Sequence, residues 1–328
     1  MAHAWLERTL GQVSRARVAV FGDFALDAYW DLDPDDSELS VETGKPVRKV
    51  RHQHYGLGGA GNVAANLASL QVASIQAIGL IGDDLFGDHM LAQMRGLGIE
   101  TESLLRSQDD WQTPVFGKPH LDDVEMGRID FGAFNEITQP SFDRVQSELE
   151  RAAHDCEIVI LNQQIRVGIS PSPVIAWLNE LIAGNSSGRF LVDSRDRPHQ
   201  YVGAILKINE AEARRMQDDD SSTPLELVQT LHERVEAPVF VTRGENGIVA
   251  ADASGCHEVP GITVDSPTDP VGAGDTIVAA IAAALAGGAD VPTAAKFANL
   301  AAAITVSKLH STGTATHEEI RALAARSK

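Results

Sequence analysis

Short apolar runs alternate with segments of helical periodicity along most of the chain. The apolar runs, which we interpret as strands, are 17–22, 75–81, 157–161, 189–193, 204–208 and 238–242. Several are apolar on both faces, as the central strands of a parallel sheet must be. The segments with helical periodicity are 62–70, 84–97, 142–153, 274–286 and 293–309. This alternation predicts an α/β fold.

Two stretches have a different pattern. Residues 46–55 and 113–131 alternate polar and apolar side chains, which is typical of a sheet with one face in water. We interpret them as parts of a small β-sheet lid formed by segments of about 28–55 and 112–132.

Composition and charge narrow the range of ligands. The chain has 328 residues and a formal net charge of -19, which speaks against nucleic acid or an anionic membrane surface as partner and favours small metabolites. Its two cysteines, Cys156 and Cys256, have no disulfide or zinc-site spacing. Residues 1–11 lack the apolar stretch of a signal peptide, and the apolar run 277–286 is too short to span a bilayer. We therefore expect a cytoplasmic protein.

The strongest chemical signal is the segment Asp269–Thr276, DPVGAGDT, which leads into an apolar helix. An apolar helix must be buried, so its first turn presents the free N–H groups of Gly272, Ala273 and Gly274 to an anion. Asp275 could accept a proton from an attacking hydroxyl while these groups stabilise charge on a phosphoryl group. The alternative is that Asp275 is only a first-turn acid and the glycines form a tight turn.

A second glycine-rich segment, GLGGAGN, covers residues 56–62 and opens the next predicted helix. It contains G-x-G-x-x-G, with Asp83 further along the chain, so a dinucleotide site is an alternative. The half-solvated character of the preceding stretch argues against a buried first strand of that type. We favour a floor of Gly58 and Gly59 for a sugar, with Asn62 bonded to a sugar hydroxyl.

GGAGN at 58–62 and GAGD at 272–275 together resemble the two signatures of the ribokinase-like (PfkB) carbohydrate kinases, in the right order. Asp27 matches the family Asp that binds sugar hydroxyls. Asn209 and Glu212 match the N-x-x-E motif associated with magnesium and phosphate. The remaining positions, which match family residues around the nucleotide, are Thr242, Gly244, Gly247 and Asn299. Taken singly, each of these could also be an ordinary structural residue.

This resemblance implies a three-layer α/β/α fold with a mostly parallel central sheet, one kinase domain over residues 1–328, and a β-sheet lid. It implies ATP as cofactor and Mg²⁺ held through water by Asn209 and Glu212. A monovalent cation is a further implied cofactor. Pro270 stands where the family signature has Thr, and the loop near that cation could be altered as a result.

Within the family, the chain is most similar to the kinase domain that acts on heptose 7-phosphate. The matching segments are GDFALDAYW at 22–30, LSVETGKPV at 39–47, GGAGNVAANLASL at 58–70, RID at 128–130 and VSKLHSTGTAT at 306–316. This similarity implies that Arg128 contacts the substrate. Two positions depart from the pattern of that kinase domain. Glu38 stands in place of an Arg, and NQQIRVG at 162–168 stands in place of S-D-Y-x-K-G. The sequence therefore does not identify the substrate sugar.

The predicted function is an ATP-dependent kinase that phosphorylates a sugar or a sugar phosphate. The alternatives are an NAD-dependent oxidoreductase that uses the 56–61 glycine loop and a catalytically silent sensor on the same fold. We also expect a homodimer formed through the lid, since its exposed strands carry many apolar side chains. The apolar positions on which this expectation rests are Val47, Val50, Tyr55, Val115, Phe116 and Phe131.

Overall fold

A computed structural model describes residues 4–35, 38–122, 124–185, 189–264, 267–308 and 313–326. The end of the predicted helix 293–309 and part of the matching segment 306–316 lie outside these ranges. So do two positions in the first lid segment and one in the second. No helix among the described residues is long and apolar enough to cross a membrane.

The described residues form ten helices and fourteen strands. The helices are α1 (Ala4–Val13), α2 (Ala60–Ser69), α3 (Leu85–Gly96), α4 (Gln139–Asp155), α5 (Ser172–Ala183), α6 (Glu210–Gln217), α7 (Pro224–Val235), α8 (Ala273–Ala286), α9 (Val291–Thr305) and α10 (His317–Arg326). The strands are β1 (Arg17–Gly22), β2 (Phe24–Leu32), β3 (Val50–Gly59), β4 (Ser74–Ile81), β5 (Leu104–Arg106), β6 (Val115–Leu121), β7 (Val124–Glu125), β8 (Ile129–Phe131), β9 (Ile158–Gln163), β10 (Phe190–Ser194), β11 (Ile205–Asn209), β12 (Val239–Thr242), β13 (Ile248–Asp252) and β14 (Gly255–Val259).

The larger of the two sheets has the strand order β14-β13-β12-β11-β10-β9-β1-β4-β5. Its strands from β12 to β5 are parallel, and β13 and β14 add an antiparallel hairpin at one edge. All six strands predicted from apolar runs lie in the parallel part, so the prediction of a mostly parallel central sheet is confirmed. The predicted helices are present as well, although α9 ends at Thr305.

Both faces of this sheet are covered by helices. Along β1, Val18 and Val20 belong to one buried apolar cluster, which includes residues of α2, α8 and α9. Ala19 and Phe21 belong to a second cluster on the opposite face, with residues of α4, α5 and α7. Because neighbouring residues of a strand point to opposite faces, the continuous apolar run of β1 fills both layers. The three-layer α/β/α prediction is confirmed.

The second sheet, which we call the lid sheet, consists of β2, β3, β6, β7 and β8. β2 pairs with β3 antiparallel and with β6 parallel, and β7 and β8 both pair with β6. β3 overlaps the first alternating stretch, 46–55, and β6, β7 and β8 lie within the second, 113–131, whereas β2 lies outside both. β2 continues directly from β1 after Asp23, so the lid sheet is tied to the centre of the main sheet.

The strand register divides the lid sheet into a polar face and an apolar face. Asp27 lies opposite Phe116, and Tyr29 lies opposite Lys118, so these four side chains share the polar face. The apolar face carries Trp30 together with the exposed residues Val50, Val124, Ile129 and Phe131.

The expectation that Val115 and Phe116 both belong to an exposed apolar surface is wrong. Val115 is fully buried, and Phe116 is partly buried on the polar face, where it lines a cavity. The two residues are adjacent in β6 and must therefore point to opposite faces of the sheet.

Candidate active site

A cavity of about 280 Å³ lies where the carboxyl ends of the central strands meet the lid sheet. The central sheet and its loops contribute Gln164, Asp193, Arg195, Lys207, Asn209 and Glu212. The lid sheet and the glycine loop contribute Asp27, Gly59, Phe116, Lys118 and Arg128. The start of α8 contributes Val271, Gly272, Gly274 and Asp275. Ligands of open α/β sheets bind in the crevice outside the carboxyl ends of the strands, and this cavity has that position.

Asp275 lies in the first turn of α8, partly exposed to the cavity. Burial raises the pKa of its carboxyl group to about 7; a hydrogen bond from Asn62 opposes the rise, and the charge of Asp193 adds to it. The Asn62 Nδ2 atom donates to the Asp275 Oδ2 atom at 2.7 Å. A carboxylate with a pKa near neutrality suits a general base.

The contact with Asp275 gives Asn62 a different position from the one expected. The sequence predicts that Asn62 bonds a sugar hydroxyl, but its side chain is buried and its amide is directed at the Asp275 carboxyl group. Its own carbonyl oxygen Oδ1 accepts a bond from Asn66 at 3.2 Å, which fixes the orientation of the amide. Asn62 thus connects the start of α2 to the start of α8.

The N-terminus of α8 has the form of an anion site. Gly272 precedes the helix with φ 79° and, being glycine, offers no side chain of its own to cap the first turn. A left-handed conformation of this kind favours glycine. The N–H of Ala273, expected to be free, instead donates to the Pro270 carbonyl at 3.2 Å. That part of the prediction is wrong, and the anion site is reduced to the neighbouring amides.

Asp193 and Lys207 form a buried ion pair below this helix start. The Lys207 Nζ atom lies 3.0 Å from Asp193 Oδ1, and the two side chains are 8% and 13% exposed. A methyl group placed on Gly274 would lie 3.4 Å from Lys207 Nζ. The ammonium group is therefore next to the first turn of α8, where an anion would bind.

Asp27 and Lys118 form a second ion pair, on the polar face of the lid sheet. Their side chains are 8% and 12% exposed, and Nζ lies 2.9 Å from Asp27 Oδ1. Burial raises the pKa of Asp27, and the charge of Lys118 opposes this rise. Lys118 also lies over the Tyr29 ring at 4.9 Å. A methyl group placed on Gly58 would lie 3.3 Å from the Asp27 side chain, so Gly58 leaves room behind this pair.

Arg128 lies at the mouth of the cavity. Its guanidinium group donates two hydrogen bonds of 2.7 Å to Asp130 and stacks 4.8 Å from the centre of the Phe116 ring. These contacts hold the arginine in place and leave it in the cavity wall with Lys118.

Asn209 and Glu212 form a capping box at the start of α6. The Asn209 side chain accepts from the Glu212 N–H at 2.8 Å, and the Glu212 Oε2 atom accepts from the Asn209 N–H at 3.0 Å. Both residues nevertheless line the cavity, and Glu212 Oε1 is not used in the cap. No group of three or more His, Cys, Asp or Glu side chains within the described ranges could hold a metal directly.

The model of the pfkB family of carbohydrate kinases matches residues 15–116 and 194–318, which is more than half of the chain. The chain belongs to this family. The prediction of an ATP-dependent carbohydrate kinase is thereby confirmed at the level of the family, and an NAD-dependent oxidoreductase is not supported.

Curated relatives and solved structures agree with this assignment. The chain is 29% identical over 313 residues to the bifunctional protein HldE of Wolinella succinogenes, and 31% identical over 329 residues to that of a Shewanella species. These matches cover 93% and 96% of this chain but only 64% and 65% of the relatives, so the chain spans less than two thirds of their length.

Two solved structures illustrate the common fold. Arabidopsis thaliana ribokinase complexed with ribose and ATP has a TM-score of 0.72 at 20% identity, with 94% of this chain and 99% of that chain covered. Escherichia coli phosphofructokinase-2 in complex with fructose-6-phosphate has a TM-score of 0.73 at 18% identity, with 95% and 99% covered. At these identities the likeness shows the fold alone, and the ribokinase-like prediction is confirmed.

The glycine loop at 56–61 differs from a dinucleotide-binding loop in its setting. It belongs to the end of β3, an antiparallel lid strand, and leads into α2. The glycine fingerprint of a dinucleotide site follows the first strand of a parallel sheet, and β3 is not such a strand. Gly59 has φ 53°, and a Cβ atom there would lie 2.5 Å from the Asp23 carbonyl oxygen, so only glycine fits.

The family positions expected around the nucleotide are not among the described residues that line the cavity. Thr242 ends β12, Gly244 begins a short 3₁₀ turn, and Gly247 follows that turn with φ 84°. The Asn299 amide donates to the carbonyl oxygens of Val259 and Pro260 at 3.2 and 3.0 Å. In this structure Asn299 therefore fixes the segment after β14.

The segment 162–168 departs from the heptose kinase pattern and is fixed by an aspartate that the sequence did not single out. The buried Asp23 carboxylate accepts backbone N–H groups of Gln164, Ile165 and Ile169 at 2.8, 2.8 and 3.0 Å. Gln164 from this segment lines the cavity.

The cavity also contains residues for which no site role was predicted. The charged ones are Lys118, Asp193, Arg195 and Lys207. The available signal was the lysine within the predicted core strand 204–208, since an unpaired lysine is not expected in a buried strand.

Proposed function

We propose that the chain transfers the γ-phosphate of ATP to a hydroxyl group of a sugar or sugar phosphate, with Asp275 as general base. The observation that carries this proposal is the carboxyl group of Asp275, whose pKa is raised to about 7, beside an uncapped helix N-terminus in a cavity. We regard residues 1–328 as one kinase domain, with lid segments of about 28–55 and 112–132.

In this mechanism the acceptor hydroxyl lies between Asp275 and the γ-phosphate. Its oxygen forms a bond to phosphorus while the bond from phosphorus to the bridging oxygen breaks, and ADP leaves. The hydroxyl proton moves to the Asp275 carboxylate. The amides at the start of α8, including those of Gly272 and Gly274, donate to the phosphoryl oxygens as charge develops on them.

Other residues of the chain bind and orient the two substrates. We assign the sugar to Asp27, Gly58, Gly59 and Arg128, and the nucleotide to Thr242, Gly244, Gly247 and Asn299. Asn62 positions the base by its hydrogen bond. Asn209 and Glu212 would hold Mg²⁺ through water, and the bound ion neutralises phosphate charge. A need for a monovalent cation stays a prediction; one solved phosphofructokinase-2 structure is described as a complex with potassium.

The acceptor class is supported by the charges of the cavity. Lys118, Arg128 and Arg195 are basic groups of its wall, of which Lys118 is paired with Asp27 and Arg128 with Asp130. Such groups suit an acceptor that already carries a phosphate. The panel of acceptors should thus include both sugars and sugar phosphates, among them a heptose 7-phosphate.

The first prediction concerns the reaction itself. With ATP and Mg²⁺, the wild-type chain is expected to release ADP in the presence of at least one acceptor of this panel. Asp275→Asn keeps the shape of the side chain but cannot accept the proton, so turnover should fall by about 100- to 10,000-fold. Calorimetry should show unchanged ATP binding in this variant.

The control is Asp83→Asn, which removes an exposed carboxylate outside the cavity and should keep full activity. Substantial turnover by Asp275→Asn would contradict the base assignment. Binding of ATP and a sugar without any ADP release would instead favour the silent sensor, and binding of NAD the oxidoreductase.

The second prediction is a homodimer through the apolar face of the lid sheet. Val50, Val124, Ile129 and Phe131 are 45%, 62%, 50% and 37% exposed on this face, and an isologous contact would remove them from water. Light scattering at micromolar concentration should give about twice the monomer mass of 35.1 kDa.

Val124→Asp combined with Ile129→Asp should convert the dimer to a monomer. The matched control is Leu85→Asp, an exposed apolar residue on α3 that is 84% exposed, which should leave the mass unchanged. A monomeric wild-type chain would contradict the proposal, and a dimer that survives the double change would move the interface elsewhere. A cytoplasmic location and the absence of nucleic-acid and membrane partners stay predictions.

A further inference from the structure

Lys207 occupies an unusual position for a lysine. Among the residues that the structure describes, it is the most deeply buried lysine, and it lies on the central strand β11. Its ammonium group reaches the cavity and lies next to the first turn of α8, 3.4 Å from the position of a Cβ atom on Gly274. A buried charge requires a partner or a function, because removing it from water is costly.

Asp193 holds this ammonium group in place. Its Oδ1 atom binds Lys207, and its Oδ2 atom accepts from Asn162 at 3.3 Å and from Gln164 at 3.4 Å. The carboxylate is therefore fixed by β9 and the loop after it as well as by Lys207. An ammonium group has three donors, and the one hydrogen bond described for Lys207 uses one of them.

The charged side chains that act on Lys207 are acidic. Burial has the largest single effect and lowers the pKa of Lys207, but the charge and hydrogen bond of Asp193 together with the charges of Asp275 and Glu212 outweigh burial, so the pKa is raised. Lys207 is thus positively charged at neutral pH. Its charge lies between the base, the capping box of α6 and the N-terminus of α8, all of which line the same cavity.

We propose that Lys207 is a catalytic residue whose ammonium group binds the phosphoryl group during its transfer, and that Asp193 is its positioning residue. This inference rests on the proposed kinase function. As the new oxygen–phosphorus bond forms and the bond to the bridging oxygen of ADP breaks, Lys207 donates hydrogen bonds to phosphoryl oxygen and keeps its proton. The acceptor's proton goes to Asp275.

A purely structural role explains the pair less well. Buried ion pairs contribute little net stability compared with apolar residues of similar size, and the neighbouring strand residues Leu206 and Ile208 are apolar and buried. A cation beside an uncapped helix N-terminus instead repels the partial positive charge of that terminus. An anion bound between the two would relieve this repulsion.

The test is the kinetics of Lys207→Ala together with rescue by small amines. We expect kcat to fall by about 100- to 1000-fold, as for the loss of one donor to a developing oxyanion, with a smaller change in the KM for the acceptor. Ethylammonium or methylammonium ions should restore part of the lost kcat in a saturable manner. Lys207→Arg should be impaired less than Lys207→Ala.

Two controls accompany the rescue. Lys296→Ala removes an exposed lysine of α9 and should keep full activity with no response to amines. Asp275→Asn lacks the base and not the ammonium group, so amines should not rescue it. A structural role for Lys207 would lower activity through misfolding, and an added amine would not correct that.

A second variant distinguishes the loss of a catalytic group from a folding defect. Lys207→Ala leaves Asp193 buried without its cation, whereas Lys207→Met combined with Asp193→Asn leaves no unpaired charge. This double variant should fold, bind ADP as the wild type does, and lose most of its preference for a non-hydrolysable ATP analogue over ADP in calorimetry.

The outcomes distinguish this inference from the proposed function. A wild-type chain that neither binds ATP nor phosphorylates any acceptor would overturn both. An active wild type together with a Lys207→Ala variant at full kcat, or a double variant with the full preference for the ATP analogue, would overturn the role of Lys207 alone. Lost activity that amines do not restore, with that preference unchanged, would also overturn it.

Discussion

The candidate site contains two lysine–aspartate pairs of similar geometry in different parts of the fold. Asp27 and Lys118, on β2 and β6 of the lid sheet, are 2.9 Å apart, and Asp193 and Lys207, on β10 and β11 of the main sheet, are 3.0 Å apart. All four side chains are largely buried and line the cavity around Asp275. The two pairs differ in what surrounds them.

The pair in the main sheet, Asp193 and Lys207, which we call the core pair, is rigidly held. β10 and β11 have strand neighbours on both sides and helices over both faces, and Asp193 is bonded by two further amides. The pair in the lid sheet, Asp27 and Lys118, which we call the lid pair, lies in a small sheet with one face in water. The other contacts of Lys118 are the hydroxyl group and the ring of Tyr29. In the proposed mechanism, this difference would fix the placement of charge near the transferred phosphoryl group and leave it adaptable near the acceptor.

The largest effect that separates the two pairs should be on stability. Asp193→Asn leaves Lys207 without its counterion in the core, and we expect a loss of about 3 to 5 kcal/mol in the free energy of unfolding. Asp27→Asn should cost about 1 to 2 kcal/mol, because Lys118 lies in a small sheet with exposed residues on one face and not between two layers of helices. Urea unfolding followed by circular dichroism measures both values.

The control for this pair of variants is Asp83→Asn, whose carboxylate is 82% exposed beside Arg106 and should change the free energy of unfolding by less than about 0.5 kcal/mol. Equal losses for Asp27→Asn and Asp193→Asn would show that the lid pair is held as rigidly as the core pair. The proposed contrast would then be wrong.

The same two regions differ in how far their sequences predict their structures. The core strands were predictable because a parallel sheet covered on both faces requires continuous apolar runs, as in β1 and β9. In the lid the alternation predicted strands, but assigning both Val115 and Phe116 to one surface ignored the two-residue period of side chains. Only the register of β6 with β2 shows that Phe116 lies on the same face as Asp27 and that Val115 lies on the opposite face.

The site was predictable where a residue is required by the local backbone. Gly272 and Asp275 belong to one short motif, and the sequence alone placed them together at the start of a buried helix. Lys118, Asp193 and Lys207 come from three separate strands, and their pairing depends on strand order and register that local patterns do not contain. Asn62 was found as a candidate, but its contact with Asp275 spans most of the chain and could not be derived from spacing.

The smallest effect should be on the pH dependence of the reaction. This effect compares the influence of the two pairs on the pKa of Asp275, the proposed base. Because the pKa of Asp275 is raised to about 7, the base is protonated at lower pH, and kcat/KM should fall as the pH drops below about 7. The negative charges of Asp193 and Asp27 both raise this pKa, Asp193 more than Asp27, whereas the hydrogen bond from Asn62 lowers it. Asn62→Leu should therefore move the midpoint of the profile to higher pH. Asp193→Asn should move it to lower pH, and Asp27→Asn should do so by less. Since each midpoint is read from the shape of the profile, a lower overall rate does not obscure it. If the midpoint moves more with Asp27→Asn than with Asp193→Asn, the charge in the lid sheet affects the pKa of Asp275 more than the charge in the main sheet does, and the expected order is wrong.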